Sequence, residues 1–329
     1  MNKIKIGVIG TGHLGKIHTK LLKEVDNCEL TGIYDADLEK ANTVGSEFDV
    51  EVFDKVDDLL CNINAVSIVA STSAHYQLVK SAFEKGVHVF VEKPITSTIY
   101  EAEEIVAMSK EKDLVLQVGH IERFNPALVS LEKYKLEPKF IQTDRLALFN
   151  PRGTDVAVVL DLMIHDIDII LSLVKSEVKN INASGVAVVS DHVDIANTRI
   201  EFENGTVANV TASRISQKKM RKMRIFQRDA YLSLDFISGT SEVLRLLEPH
   251  DENVNKFMNF GEIGVGEKKK VLVYENPERP ELNALKHELQ LFVNTVINGE
   301  RPVVSGEDGL KALKVADEII KKIEESKIN

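Results

Sequence analysis

The chain has 329 residues, of which 43% are hydrophobic and 28% are charged, and its formal net charge at pH 7 is −10. This length favours two domains, and this composition is typical of a globular protein with full hydrophobic cores. The acidic charge argues against binding to nucleic acid or to anionic membrane surfaces, and the lack of an 18-residue apolar run argues against a membrane span.

Cysteine content and the start of the chain indicate a cytoplasmic protein. Cys28 and Cys61 are the two cysteines and lack the spacing of a metal site. Few cysteines are typical of a reducing compartment. The first residues lead directly into a predicted strand, so we expect no signal peptide. Because the cysteines lack metal-site spacing, we expect no bound metal.

The first predicted element is a β-branched strand, Ile4 to Ile9, that ends in the turn Gly10-Thr11-Gly12-His13-Leu14-Gly15. A helical pattern follows, and a second strand ends at Asp35. Gly10 permits a tight turn, Gly12 lets a pyrophosphate approach the backbone, and Gly15 lets the helix pack on the strand. Since a helix N-terminus favours an anion, the stretch predicts a dinucleotide site.

The neighbourhood of Asp35 favours NAD over NADP. A carboxylate at this spacing binds the free hydroxyls of the adenosine ribose. It would repel a 2′-phosphate, which usually requires a nearby arginine. Tyr34-Asp35-Ala36-Asp37-Leu38 holds a second acid and no arginine.

Strands and helices continue to alternate, which predicts a parallel, doubly wound Rossmann domain of the α/β class over residues 1–121. The helices are expected at 38–48, 56–60, 74–85 and 98–112, and the strands at 50–53, 65–70, 87–91 and 114–118. Ligands of such sheets bind beyond the carboxyl ends of the strands. The candidate cofactor contacts there, besides the glycine turn and Asp35, are Ser71, Thr72, Ser73, His75, Glu92, Lys93 and Gln117.

Residues 122–329 change to long strands with hairpin signals, which predicts an α+β domain for substrate binding and oligomerisation. Strands are expected at 139–149, 181–189, 195–203, 206–215, 221–228, 231–236 and 243–247, helices at 156–174, 280–298 and 307–325, and a loop at 254–268. Asn204-Gly205 is typical of a type I′ hairpin. Helices should cover one face of this mostly antiparallel sheet. The other face is either wetted or paired with another subunit, as in a homodimer or homotetramer.

The helix predicted at 156–174 is apolar nearly all round, and therefore buried. At 100° per residue, Asp161, His165 and Asp168 share one face, whereas Asp166 points elsewhere. An aspartate one turn before a histidine can orient the imidazole as a general base. The alternative is a satisfied polar stripe within the core. Lys93, likewise, is either a ligand contact or an exposed lysine at the end of a strand.

These motifs resemble the glucose-fructose oxidoreductase, inositol dehydrogenase and rhizopine-catabolism (Gfo/Idh/MocA) family. The resemblance rests on the glycine turn, on Glu92-Lys93-Pro94 and on residues 161–166, Asp-Leu-Met-Ile-His-Asp, and it covers essentially the whole chain. It implies that Lys93, Asp161 and His165 are the catalytic group, with a hydroxyl proton passing to His165 or Lys93 and a hydride to NAD.

Two further segments, 119–126 and 150–153, are more narrowly similar to the UDP-N-acetylglucosamine 3-dehydrogenases of that family. This similarity implies oxidation of a sugar 3-hydroxyl, followed by a partner aminotransferase in lipid A synthesis. The substrate contacts that it implies are His120, Arg123, Asn125, Arg152 and His165. Two alternatives stay open: a dehydrogenase of free sugars or cyclitols, and a non-catalytic NAD-sensing regulator, against which the intact catalytic group argues.

A diphosphate requires cations near the pocket. Basic residues concentrate in the second domain, and others flank the proposed site: Arg214, Lys218, Lys219, Arg221, Lys222, Arg224 and Arg228 in the first set, and Arg123, Arg145 and Arg152 in the second. They predict either a diphosphate site or a solvated face or subunit contact.

Overall fold

The computed structural model describes residues 3–150, 153–154 and 156–327. The chain divides into two compact units, one of residues 1–124 and 282–314 and the other of residues 125–281 and 315–329. The first unit thus contains residues 282–314, which the sequence-based division at residue 121 assigns to the second domain. Within the described residues no helix has the length and apolarity needed to cross a bilayer.

The first unit is built on a five-stranded parallel sheet with the order β2-β1-β3-β4-β5, which confirms the predicted Rossmann fold. Its strands are β1 (Ile4–Ile9), β2 (Cys28–Tyr34), β3 (Ala65–Ile68), β4 (His88–Glu92) and β5 (Leu116–Gly119). Its helices are α1 (His13–Leu22), α2 (Leu38–Phe48), α3 (Val56–Leu60), α4 (Thr72–Glu84) and α5 (Ile99–Glu111), followed by a 3₁₀ turn at Ile121–Phe124. The predicted strand at 50–53 is reduced to an isolated bridge between Val52 and Ile33.

A helix from the end of the chain completes this core. In α8, which in chain order comes after the elements of the second unit and spans Ala284–Asn298, Leu289 and Phe292 are fully buried together with Ile6 and Phe90. The rings of Phe90 and Phe292 are 5.8 Å apart, edge to face. This packing explains why residues 282–314 group with the first unit. The sequence alone does not predict this assignment, because an apolar helical stripe does not identify the sheet that it covers.

The second unit is built on a nine-stranded sheet with the order β13-β14-β12-β11-β10-β6-β9-β8-β7, antiparallel except for the pair β6 and β9. The strands are β6 (Phe140–Leu146), β7 (Val178–Val186), β8 (Ile195–Phe202), β9 (Val207–Ser213), β10 (Met220–Phe226), β11 (Ala230–Asp235), β12 (Thr240–Leu247), β13 (Met258–Ile263) and β14 (Lys270–Glu275). The helices are α6 (Pro126–Val129), α7 (Ile164–Leu173) and the part of α9 (Gly306–Lys327) that follows residue 314. The predicted mostly antiparallel sheet is confirmed.

Two local predictions in this unit are wrong. The segment 254–268 contains β13, which pairs with β14, and two 3₁₀ turns. At the hairpin, Gly205 has a φ of +81°, but Asn204 does not adopt the left-handed conformation that a type I′ turn requires of both residues. Gly205 N–H instead donates to Phe202 O, and the loop is one residue longer.

Candidate active site

The glycine turn after β1 has the backbone geometry that its sequence predicts. Gly10 has a φ of +96°, and a Cβ there would lie 2.7 Å from the backbone of Val69. A Cβ at Gly15 would lie 1.9 Å from the carbonyl oxygen of Gly10, because α1 packs directly against the turn. A Cβ at Gly12, by contrast, would meet nothing within 4 Å. Two glycines thus serve internal packing, and Gly12 leaves open space.

The N-terminus of α1 is arranged to receive an anion. Gly12 is its N-cap, no side chain caps the helix, and no acidic residue lies in its first turn. The backbone N–H groups of the first turn have no partner within the helix and carry partial positive charge. Gly12, His13 and Leu14 are exposed, whereas Thr11 is buried. This turn fits the pyrophosphate of a dinucleotide.

Asp35 is fixed against the same turn. Its Oδ2 accepts hydrogen bonds from the N–H of Thr11 at 2.6 Å and from the Thr11 hydroxyl at 2.9 Å. Its Oδ1 accepts from the N–H of Asp37 at 2.9 Å. The structure therefore brings together the glycine turn and Asp35, the two parts of the predicted cofactor site.

Hydroxyl groups surround the start of α4, after β3. Ser71 is the N-cap of α4 but makes no side-chain cap, and its Oγ lies 3.3 Å from that of Ser73. Ser71 and Ser73 are exposed, and Thr72 is half-buried. These groups lie at the carboxyl end of a parallel strand, where ligands of such sheets bind.

Glu92 is the last residue of β4, and its carboxylate contacts a buried histidine. Its Oε1 lies 3.2 Å from Nε2 of the fully buried His18, and His18 Nδ1 lies 2.9 Å from the Ser67 hydroxyl. The Glu92 Oε2 accepts from the N–H of Lys93 at 3.3 Å, and Lys93 itself is half-buried. Sequence reasoning missed the contact of His18 with Glu92 and Ser67. The available signal was that His18 and Ser67 are polar residues within an otherwise apolar helix face and an otherwise apolar strand.

His75, Gln117 and His120 are buried rather than displayed at the strand ends. His75 has ring nitrogens 3.0 Å from the carbonyl oxygen of Pro94 and 3.1 Å from that of Ala70, and burial lowers the pKa of His75. Gln117 donates its side-chain amide to Glu288 O of α8. His120 is 1% exposed. These contacts fix His75 and Gln117 against the backbone, and their contact with the cofactor stays a prediction.

Two of the predicted substrate contacts also have contacts within their own unit. Arg123 lies 3.9 Å from Asp308 and donates to Val303 O in the first unit. In the second unit, the Asn125 side chain donates to Phe236 O at 3.0 Å and caps α6. Arg152 lies outside the described residues.

The helix predicted at 156–174 is not regular. A π-helical turn at Val159–Met163 precedes α7, so the uniform step of 100° per residue does not hold from Asp161 to His165. Both of these residues are half-buried, whereas Asp168 is 1% exposed. π-turns within helices occur frequently at functional sites.

Asp166 anchors α7 to the sheet. Its carboxylate accepts two hydrogen bonds from Arg145 of β6, at 2.7 and 2.9 Å, and both side chains are 2% exposed. This parallel two-bond geometry is the strongest form of an arginine–carboxylate pair. Arg145 is therefore engaged within the core and is not a diphosphate contact, which corrects the prediction. An aspartate in an apolar helix signals a buried partner but does not identify it.

Arg214, after β9, holds the chain that leads into the π-turn. It donates to the carbonyl oxygens of Gly153 at 2.6 Å and Val156 at 2.7 Å and is 3% exposed. A Cβ at Gly153 would lie 3.0 Å from the carboxylate of Asp161. Arg214 thus positions the backbone beside Asp161 and does not face a ligand, a second correction to the predicted diphosphate group.

Asp194 lies behind Arg214, 3.8 Å from its Nε. Burial alone would raise the pKa of Asp194, but hydrogen bonds from Val188, Val189 and Ser190 lower it to about 2. Arg214 therefore lies beside a permanent negative charge at neutral pH. In the described part of the chain no group of three or more His, Cys, Asp or Glu residues is arranged to hold a metal ion.

Two family models match the chain. The model of the Gfo/Idh/MocA oxidoreductases with an NAD-binding Rossmann fold matches residues 4–120, and that of the Gfo/Idh/MocA C-terminal domain matches residues 141–233. These matches agree with the glycine turn and the fixed carboxylate of Asp35.

Individual relatives agree with the models. The UDP-N-acetylglucosamine 3-dehydrogenase of Acidithiobacillus ferrooxidans is 41% identical over 244 residues, 74% of this chain and 77% of the relative. Its solved structure superposes with a TM-score of 0.88 over 98% of this chain and 99% of that one. The myo-inositol 2-dehydrogenase of Thermotoga maritima is 27% identical over 98% of this chain and 97% of the relative. The protein therefore belongs to the Gfo/Idh/MocA family and is a dehydrogenase with NAD as its cofactor.

Proposed function

We propose that the protein oxidises the 3-hydroxyl of UDP-N-acetylglucosamine. The observation that carries this proposal is the end-to-end structural similarity to the Acidithiobacillus enzyme, together with the intact Lys93, Asp161 and His165. The 3-keto product would pass to an aminotransferase that supplies the 3-amino sugar of lipid A. The myo-inositol 2-dehydrogenase relative makes a free cyclitol the second candidate substrate.

When bound, NAD would supply the acceptor for the hydride of the carbon that carries the hydroxyl. The residues of the chain must remove the hydroxyl proton and stabilise the alkoxide that develops as the proton leaves. We assign proton removal to Lys93 or His165, stabilisation of the alkoxide to the ammonium of Lys93, and orientation of the imidazole to Asp161. The π-turn, together with the hydrogen bonds from Arg214 to Gly153 and Val156, positions the backbone around Asp161, ahead of His165 in the chain.

Lys218 and Lys219 are the cations that we assign to the diphosphate. They are exposed in the loop between β9 and β10, four and five residues after Arg214. This loop lies at the same end of the sheet as the chain that enters the π-turn, since Ser216 N–H donates to Ala147 O. Of the other basic residues, Lys222 lies 3.7 Å from Asp235 on the sheet itself.

The decisive experiment measures NADH formation with UDP-N-acetylglucosamine, other UDP-sugars, free N-acetylglucosamine and myo-inositol. Glutamate and a 3-keto-sugar aminotransferase are added to draw off the product. Turnover with the UDP-amino sugar alone supports the proposal, and turnover with myo-inositol alone replaces it with the second candidate. Lys218→Gln with Lys219→Gln should raise the KM for the UDP-sugar at unchanged kcat, whereas the exposed pair Lys139→Gln with Lys179→Gln should leave both constants unchanged.

We also propose that the uncovered face of the nine-stranded sheet joins copies of the chain into a homodimer or homotetramer. Phe140, Phe226 and Tyr231 lie side by side on this face, with ring centroids 5.6 and 4.9 Å apart. Phe226 is 37% exposed. Light scattering should show an oligomer for the unaltered chain and a smaller species for Phe226→Glu.

A further inference from the structure

The second unit contains a cavity that the proposed reaction does not use. Its volume is about 780 Å³, within the range of small-molecule sites, and it is lined by Lys133, Tyr134, Arg245, Lys256, Phe257 and Glu275 among others. It lies beyond the Phe226 end of β10, where Gln227 and Ala230 contribute to its wall.

The cavity is remote from the catalytic helix. Strands β6 and β10 are antiparallel, with Leu146 opposite Met220 at one end and Phe140 opposite Phe226 at the other. The chain that enters the π-turn follows the Leu146 end. A strand of this length spans about 20 Å, so the cavity and the π-turn lie at opposite ends of the sheet.

The floor of the cavity is a fixed polar network. Glu275, 6% exposed, accepts a hydrogen bond from the Tyr134 hydroxyl at 2.8 Å and pairs with Arg245 at 2.5 Å. Burial and the hydrogen bond to Glu275 raise the pKa of Tyr134 to about 12, so the hydroxyl stays protonated. The charge of Glu275 is thus compensated by Arg245 and does not offset the other cations of the cavity.

The rim carries uncompensated positive charge. Among the described residues, neither Lys133 nor Lys256 has a carboxylate partner: Lys133 lies over the ring of Tyr134, and Lys256 donates to the amide of Asn253. Lys135 also lines the cavity and pairs with Glu137, and the remaining acid, Asp229, is exposed and accepts from Gln227. A concave site with free cations is unexpected on a chain with a net charge of −10.

Aromatic surface accompanies these cations. The guanidinium of Arg245 lies 5.6 Å from the ring centroid of Phe257, and Phe257 and Tyr134 are half-buried in the wall. A flat ring is held by stacking on aromatic or guanidinium planes, and phosphates are held by lysine and arginine. We propose that this cavity is a second ligand site, which binds a nucleotide through its phosphates at Lys133 and Lys256 and its base beside Phe257.

The absence of tryptophan from the chain permits a local reporter. Phe257→Trp introduces a single indole in the cavity wall, and Tyr100→Trp places one on α5 of the first unit, where Tyr100 is 74% exposed. Both variants are saturated with NAD and titrated with GTP, a nucleotide that contains neither the adenosine of NAD nor the uridine of the proposed substrate. The experiment needs no turnover, so it is independent of the proposed function.

GTP should quench the indole fluorescence of the Phe257→Trp variant saturably and leave the Tyr100→Trp signal unchanged. Lys133→Gln with Lys256→Gln should weaken GTP binding by about tenfold or more, since each lysine contributes a charge-assisted hydrogen bond. The matched pair Lys175→Gln with Lys179→Gln, which removes the same charge from exposed positions near the start of β7 at the far edge of the sheet, should have no such effect. Lack of quenching at millimolar GTP, equal effects of the two pairs, or equal affinity for tripolyphosphate and GTP would each overturn the assignment of a nucleotide.

Discussion

The glycine turn of the first unit and the π-turn of the second unit show two different ways in which a sequence encodes a site. In the turn, Gly10 and Gly15 are required by nearby backbone atoms, those of Val69 for Gly10 and those of Gly10 for Gly15, whereas Gly12 leaves open space. Around Asp161, the backbone is held by Arg214, some 60 residues later in the chain. Spacing rules therefore describe the first site well and the second only approximately.

The largest loss of turnover should follow removal of the two proposed reacting groups, Lys93 of the first unit and His165 of the second. Lys93→Ala and His165→Ala should each lower turnover about 10²–10⁴-fold, because a positioned acid or base contributes this much. NAD affinity should change little in His165→Ala. Turnover is measured by NADH formation under saturating substrate.

Exposed residues of the same types serve as controls for these variants. Lys139→Ala and His250→Ala should retain full turnover, since both side chains are exposed. If Lys93→Ala and His165→Ala both stay within tenfold of the unaltered enzyme, the proposed catalytic group is wrong.

The next effect tests the anchor of the catalytic helix. Asp166→Asn should lower the free energy of unfolding by about 3–5 kcal/mol, because it leaves the guanidinium of Arg145 buried without its counter-charge. Urea denaturation measures this loss, and the exposed Asp191→Asn is the control. The double variant Arg145→Met with Asp166→Leu should regain most of the stability, since an apolar pair needs no compensation. Equal instability of the single and double variants would contradict this account.

The sequence predicts the cofactor turn better than it predicts the contacts between distant elements. Gly10, Gly12, Gly15 and Asp35 could be predicted because they lie within one continuous strand–turn–helix–strand stretch of the sequence. The partner of Asp166 was not, because Arg145 is 21 residues away on strand β6 and reaches the helix by a side-chain contact. The assignment of α8 to the first core likewise depends on a contact, Phe90 with Phe292, between residues about 200 positions apart.

Substitutions of Gly15 and Gly12 in the same turn should distinguish an effect on stability from an effect on cofactor binding. Gly15→Ala should destabilise the first unit by about 3 kcal/mol, because its Cβ would overlap the carbonyl oxygen of Gly10. Gly12→Ala should leave stability unchanged, because its Cβ meets no protein atom, yet weaken NAD binding about tenfold by occupying the space of the pyrophosphate. Thermal unfolding and NAD titration measure the two effects. Loss of stability in both variants would show that Gly12 also serves packing.

The smallest effect concerns Asp194, behind Arg214, and depends on pH. The pKa of Asp194 is lowered from 3.8 to about 2 in the folded protein, so its stabilisation is complete above about pH 4 and is lost as the pH falls from about 4 to 2. Asp194→Asn should therefore reduce the free energy of unfolding by about 2 kcal/mol at pH 7. The difference from the unaltered protein should shrink below pH 4.

Urea denaturation at pH 7, 4 and 3 measures this difference, with Asp191→Asn as the control that should show none. A constant difference across that range would mean that Asp194 acts through hydrogen-bond geometry and not through its charge. Asp194→Asn also tests whether the π-turn, unlike the glycine turn, depends on residues distant in the chain. If Asp194 supports Arg214, and Arg214 supports the backbone at Gly153, then Asp194→Asn should lower kcat modestly at unchanged NAD affinity, because the glycine turn relies on no such distant residue.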